Sequence, residues 1–281
     1  MTVRASQRFV SPATQTLFKS LPDFLAADSY KNGVLTIQHG GIPIDIKFDG
    51  RGHDTTTIFF HAALSSGTAK FPIFAGQLMS EDLPTNRIHV SDPTMLIDDN
   101  LMLGWYAGNH RQPKLQTTLR FILGALIPPD QRVVTFGASG GGFASLYYAG
   151  RFDGATAIAV NPQTNIARYI PQAVDRYTQL GWKVRGTNKI GTVPAITNLV
   201  WRYKRPVPNR AFYVQNLNDT FHMANHYSPF IDAVHAENEV HSLMFDGKKG
   251  HQPPSPEFMR GVLEAAISGG PAPTSLTLPA T

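Results

Sequence analysis

The chain of 281 residues is 42% hydrophobic and 10% aromatic and sets 25 Lys+Arg against 20 Asp+Glu, a balance that excludes a disordered or fibrous protein. It contains no cysteine, which excludes a disulfide framework, a thiolate metal site, an iron–sulfur cluster and a cysteine nucleophile. No stretch approaches the roughly 18 apolar residues of a membrane span, and the amino-terminal stretch, with Arg4, Arg8 and Lys19, lacks the apolar run of a secretory signal, so a soluble cytoplasmic protein is expected.

Short apolar, β-branched runs at 34–38, 42–48, 56–61, 87–90, 133–136, 155–160, 211–215 and 239–245 are each bounded by Gly, Pro, Asn or Asp. They predict eight strands. His39, Gly40 and Gly41 between the first two runs are hairpin chemistry, and Pro43 suits a strand beginning or an edge. Later runs are separated by segments long enough for crossover helices, which predicts a mostly parallel sheet with an antiparallel start. Helices are predicted at 112–126, 141–149, 221–236 and 256–266.

The segment 161–210 between two predicted strands holds nine basic residues and one acid, Asp175, so the rest of the chain is net acidic. A connection that long in a compact domain reads as a functional insertion such as a lid. It also carries Tyr169, Tyr177, Trp182, Trp201 and Tyr203. Were these to cover a site, cations and flat rings would suit an anionic or carbohydrate substrate, with Trp182 and Trp201 as candidate contacts; a solvated cover packed on the sheet is the plainer alternative. One domain over 1–268 and a loose, uncharged tail at 269–281 complete the expected organisation.

The chemistry centres on Gly137-Ala138-Ser139-Gly140-Gly141-Gly142-Phe143, where a predicted strand turns through glycine into a predicted helix. Gly137, Ser139 and Gly141 fit G-x-S-x-G. In a nucleophile elbow the turn is so sharp that side chains two positions either side of the serine would strike backbone, and the N–H of Gly140 then faces an oxyanion at the helix start. A structural glycine turn, or a dinucleotide loop using Gly137, Gly140 and Gly142, competes with that reading. The second lacks the acid expected about 20 residues on, where Asn161-Pro162-Gln163-Thr164 stands.

On these residues the sequence resembles the α/β-hydrolase superfamily over most of 34–266. The resemblance implies an α/β-hydrolase fold, an about eight-stranded mostly parallel sheet with helices on both faces and a lid insertion, and a triad in the order Ser, acid, His. Asp219, just beyond the predicted strand 211–215, and His251, in the loop after 239–245, fill those places. Ser139 would attack, His251 take its proton and Asp219 fix the imidazole. Asp219 could instead cap the following helix, and His251 could be an ordinary loop residue. Asp246 is the rival acid; Ser65 and Ser66 are rival nucleophiles without elbow glycines. The strand ending at His61 implies a second oxyanion donor, Ala63 or Ala62; His61 itself is a candidate for substrate contact, with a structural role the more common reading at such a place. Gln163 and His222 are further candidates for substrate contact.

His222 and His226, four apart on a predicted helix, could hold a metal, but Met223 replaces the glutamate a zinc protease needs. No metal and no cofactor are expected, and no nucleic-acid motif appears. The strings 137–143, 161–164 and Asp219-x-x-His222-x-x-x-His226 are also similar to hydrolase-like proteins of bacterial surface-polysaccharide and glycoprotein-export systems. That similarity implies ester cleavage or O-acyl transfer on a small-molecule or glycan ester. A catalytically silent binding or assembly protein on the same fold is the reading from another class.

Overall fold

The computed structural model describes residues 3–6, 8–64, 70–186 and 188–273. Nine strands among them form one sheet: β1 (Gln15–Phe18), β2 (Gly33–His39), β3 (Ile42–Asp49), β4 (Thr55–Phe60), β5 (Asn86–Val90), β6 (Arg132–Ala138), β7 (Thr156–Val160), β8 (Arg210–Asn216) and β9 (Val240–Phe245), in the order β1-β2-β3-β5-β4-β6-β7-β8-β9. All eight expected strands are present. The additional β1 is a four-residue edge strand with no alternating pattern to announce it. Pairing is antiparallel for β2 with β3 and β3 with β5, and parallel from β5 through β9.

Why the central strands read as unbroken apolar runs is visible in what covers them. On β7, Ala157 and Ala159 join one core cluster while Ile158 and Val160 join the other; on β8, Ala211 and Tyr213 oppose Phe212 and Val214 in the same way. Successive residues of a strand face opposite sides, so a sheet buried on both faces needs apolar groups at every position. The helices Leu115–Leu126 and Gly140–Ala149 bury Leu119, Ile122, Phe143 and Leu146 on one face, and Pro256–Ser268 buries Phe258, Val262 and Leu263 on the other.

The expected helix 221–236 is interrupted. It runs as Thr220–His222, a π-helical turn Met223–Tyr227, and Ser228–Ile231. Pro229 has no N–H for a bond four residues back, and the wider turn accommodates that loss. Within 161–210, Tyr177, Trp182 and Tyr203 are core residues, whereas Trp201 is 69% exposed with Lys204 Nζ 5.0 Å from its ring centre. Residues 269–273 are held to the sheet: Arg210 donates to the Gly270 carbonyl at 2.8 Å and Ala272 is buried. The rest of the expected loose tail, 274–281, lies outside the described residues, as do Ser65 and Ser66.

Candidate active site

Because β4 is flanked by β5 on one side and β6 on the other, the connections leaving β4 and β6 diverge, and side chains from several strand ends can meet there. Ser139 stands at that place. It has φ 56° and ψ −118°, a conformation costing a non-glycine residue roughly 1–3 kcal/mol, and is followed by the helix Gly140–Ala149. The glycines around it are sterically required. A Cβ on Gly137 would lie 2.1 Å from the Gly141 carbonyl oxygen, and one on Gly141 would lie 2.4 Å from that of Phe60.

Asp219 caps the helix Thr220–His222 through Oδ1, which accepts the His222 N–H at 3.1 Å. Its Oδ2 meets two imidazoles. His251 Nδ1 is hydrogen-bonded to it at 2.8 Å, and His222 Nδ1 lies equally close but without hydrogen-bond alignment. The capping and triad readings of Asp219 are therefore compatible, since the carboxylate has two oxygens. The His222 and His251 rings stack with centroids 4.0 Å apart and planes at 12°. Asp246, the rival acid, is exposed and accepts a hydrogen bond from Asn218 Nδ2 at 2.6 Å rather than one from His251.

The His251 loop is stitched to the sheet by two asparagines that sequence reasoning gave no role. Asn161 Nδ2 donates to the Gln252 carbonyl at 2.8 Å; Asn216 Nδ2 donates to those of Lys248 and Gly250 at 2.8 and 3.0 Å. The Asn161 Oδ1 also accepts the Asn216 N–H at 2.8 Å. Their only signal in the sequence is that each ends a predicted strand.

Ser139 and His251 line one cavity of about 260 Å³ with Ala62, Ala63, Tyr169 and Pro253. Ser139 Oγ accepts a hydrogen bond from Gln163 Nε2 at 2.6 Å, its one partner among the described residues. Gln163 is oriented in turn by Trp105, whose indole N–H donates to Oε1 at 2.9 Å. Nothing in the sequence marked Trp105. It and Tyr106 form a consecutive pair with φ of 54° and 55°, the kind of strain that persists only where surrounding contacts enforce it.

At the oxyanion side, Gly140 opens its helix, so its N–H has no intrahelical acceptor. The Ala62 and Ala63 N–H groups have no hydrogen-bond acceptor among the described residues. His61, a candidate for substrate contact, takes the structural role instead and is buried with both ring nitrogens occupied: Nδ1 contacts the Ala62 carbonyl at 2.7 Å and Nε2 accepts the Asp92 N–H at 3.1 Å. Holding that carbonyl fixes the plane of a trans peptide whose other polar group is the Ala63 N–H. Trp182 and Trp201, also expected at the substrate, are elsewhere, one packed against Tyr177 and one at the surface. Of the aromatic residues in 161–210, Tyr169 borders the cavity.

No Lys or Arg is among the described residues that line the cavity. Lys183 and Arg185 border a different groove with Gln179.

Burial opposes ionisation of Asp219, but the hydrogen bonds from the His222 backbone N–H and from His251 outweigh it and hold the carboxyl below its ordinary range. Burial, then the neighbouring His251, push His222 down to about 4, and burial followed by His222 pushes His226 down to about 3. Both are neutral at pH 7. An unfolded histidine near 6.5 takes up protons that these folded ones refuse, so stability is lost as pH falls from about 6.5 toward 4. We expect Tm to drop between pH 7 and pH 5, with roughly 2 kcal/mol lost per imidazole, and His226→Phe to flatten part of that slope; an unchanged slope in the variant would contradict the assignment.

Asp219, His222 and His251 also place three possible ligand atoms within 4.8 Å of one another. The rings are nearly parallel, so their in-plane Nδ1 lone pairs run side by side and do not converge on a point about 2.1 Å from both. The group is two imidazoles sharing a carboxylate, and the residues do not fit a metal.

The sequence matches no protein-family model and no curated protein. The structure is similar to the capsule O-acetyltransferase of Neisseria meningitidis serogroup A, with TM-score 0.62 and 15% identity over 87% of this chain and 98% of that one. It is also similar to 2,6-dihydroxy-pseudo-oxynicotine hydrolase, with TM-score 0.59 and 15% identity over 89% of this chain and 72% of the other. A third similar structure is the S-formylglutathione hydrolase from Agrobacterium tumefaciens, with TM-score 0.56 and 12% identity over 84% and 93%. No helix among the described residues is long and apolar enough to cross a membrane.

Proposed function

The chain has the α/β-hydrolase fold, and on that frame we propose that it is a serine hydrolase that cleaves carboxylic esters through an acyl-Ser139 intermediate. The observation that carries this reading is the convergence of three distant segments: the strained Ser139 and the Asp219-bonded His251 open onto one cavity.

In the first half-reaction Ser139 Oγ adds to the ester carbonyl carbon while its proton passes to His251 Nε2, the nitrogen not engaged by Asp219. Asp219 stabilises the imidazolium. The carbonyl oxygen, now negative, is received by the N–H groups of Gly140 and Ala63, with Ala62 beside them. Collapse breaks the C–O bond, and the alcohol leaves with the proton from His251. Water then repeats the sequence in reverse roles, its proton going to His251 and its oxygen to the acyl carbon, releasing the acid and free Ser139.

Transfer of the acyl group to a sugar hydroxyl would use the same residues. Hydrolysis is favoured because the His251 side chain is 36% exposed, so water reaches the base of the acyl-enzyme. The absence of cations from the cavity lining supports a neutral ester over an anionic one. The direct test is reaction with a fluorophosphonate followed by mass spectrometry. An adduct on Ser139 is expected; an unmodified protein, or an adduct on another residue, would favour a silent binding protein or another nucleophile.

Gln163 holds Oγ in the unloaded site, and Trp105 keeps its amide nitrogen turned toward the serine. Loss of a hydrogen bond to a group that gains charge is worth about tenfold to a hundredfold. Gln163→Ala should therefore lower kcat by that amount with KM little changed, and Trp105→Phe should lower it less. Steady-state kinetics on a soluble ester checks both.

A further inference from the structure

We infer that the acyl part of the substrate is an extended apolar chain, seated in a groove that starts beside Ser139 and runs between residues 74–79 and the helix Pro256–Ser268; this rests on the acyl-serine reading. A space of about 510 Å³ bordered by Phe60, Phe74, Leu78, Met79, Phe136 and Met259 adjoins the cavity at Ser139. Both spaces are lined by Ala62, Ala138 and Pro253. The two spaces thus meet at small residues and a proline, with no large side chain among the residues they share to bar an alkyl chain. Beyond Leu78, Met79 and Met259 the groove continues for about 410 Å³ toward Pro256 and ends at Glu257 and Arg260, where charge halts an apolar occupant.

The walls are built for such an occupant. The 70–84 part of the connection between β4 and β5 forms no helix among its described residues and packs Leu83 and Met79 against Phe59 of β4 and Phe136 of β6 as an irregular segment. Gly76, with φ 81°, lies so close to β4 that a Cβ would stand 2.3 Å from the Phe59 ring, and this contact anchors the segment with Leu78 left 87% exposed at the groove rim. An apolar surface left open beside a reactive centre marks a binding surface. Two methionines, unbranched and polarizable, line it and adapt to a flexible chain. The polar exception, Gln77, has its Nε2 spent on the Phe74 carbonyl at 3.1 Å. The space is within the usual range for a small-molecule site.

The occupant fits the proposed chemistry. With the carbonyl carbon bonded to Ser139 Oγ, the carbonyl oxygen points toward Gly140 and Ala63, and the acyl chain passes over Ala62 and Ala138. Each methylene transferred from water into the groove should raise kcat/KM about fourfold until the chain reaches the charged end.

The experiment is a series of p-nitrophenyl esters from acetyl to dodecanoyl with the wild-type chain, Met259→Trp and Leu78→Asp. For the wild type, kcat/KM should climb by about fourfold per methylene to around the octanoyl ester. The octanoyl-to-acetyl ratio should collapse toward one in Met259→Trp, which fills the groove, and in Leu78→Asp, which charges its rim. Leu78 is exposed, so its variant should fold even where the tryptophan is not accommodated. A flat series, or a rise that both variants retain, overturns the proposal. Complete inactivity on every ester would instead count against the hydrolase reading. In that event calorimetric titration with octanoate and butanoate decides the groove by itself: tighter octanoate binding that Leu78→Asp abolishes upholds it, and equal or absent binding overturns it.

Discussion

Ser139→Ala is expected to take up no fluorophosphonate and to lose ester turnover by about five to six orders of magnitude, while keeping the wild-type fold. The folding expectation follows from the backbone. Ser139 already tolerates φ 56° because Gly137, Gly141 and Gly142 allow the turn to close on itself, and alanine has the same Cβ in the same conformation. Only the Gln163 hydrogen bond to Oγ is removed, leaving a side chain already satisfied on its other side by Trp105. The residual rate should be that of oxyanion stabilisation and binding without a nucleophile. Turnover by Ser139→Ala at wild-type rate would remove the acyl-serine intermediate.

His251→Ala should be as damaging as Ser139→Ala, and the double variant no worse than either, because a nucleophile and its base act as one unit. Asp219→Asn should cost somewhat less, about four orders, by losing the carboxylate that stabilises the charged imidazole. The informative comparison is His222. Its Nδ1 is as close to Asp219 Oδ2 as that of His251, both 2.8 Å. Distance to the acid therefore does not decide which imidazole is the base. Access does: His251 borders the cavity with Ser139, whereas His222 is buried and turns its Nε2 to Gln163 at 3.4 Å. His222→Phe should lower kcat by only about tenfold to a hundredfold, through the lost support for Asp219 and the ring stacked on His251, and should leave fluorophosphonate labelling in place. If His222→Phe and His251→Ala proved equally inactive, or their order reversed, the base would have to be reassigned. Kinetics of the three variants on one neutral ester settles the order.

Much of the frame was legible because it rests on local rules. Strands covered on both faces are buried at each position and draw on apolar and β-branched residues, as in Thr55–Phe60 and Thr156–Val160, so they stand out between turn residues. The elbow needs small residues on either side of Ser139, and the contacts 2.1 and 2.4 Å away explain why. Less legible was anything that depends on which long connection passes where. The aromatic residues of 161–210 looked alike in sequence, yet Tyr177 and Trp182 became core, Trp201 became surface and Tyr169 became cavity wall. Burial is settled by neighbours far along the chain, and a tryptophan carries no mark of which neighbour it will find. The same holds for His61, whose position beside the oxyanion loop was foreseen but whose ring turned inward to the Ala62 carbonyl and Asp92.

By itself, the sequence determined the strand positions, the antiparallel start, the sharp turn at Ser139 and the strand ends after which Asp219 and His251 emerge, because each follows from steric and solvation demands acting within about ten residues. Tertiary structure alone decided that His251 and not His222 lines the cavity with Ser139, that Trp105 orients Gln163, and that an apolar groove opens beside Ala62 and Ala138. Those outcomes depend on contacts between groups brought together from more than fifty residues apart, where a small shift in packing makes or breaks a hydrogen bond and no local pattern records the result.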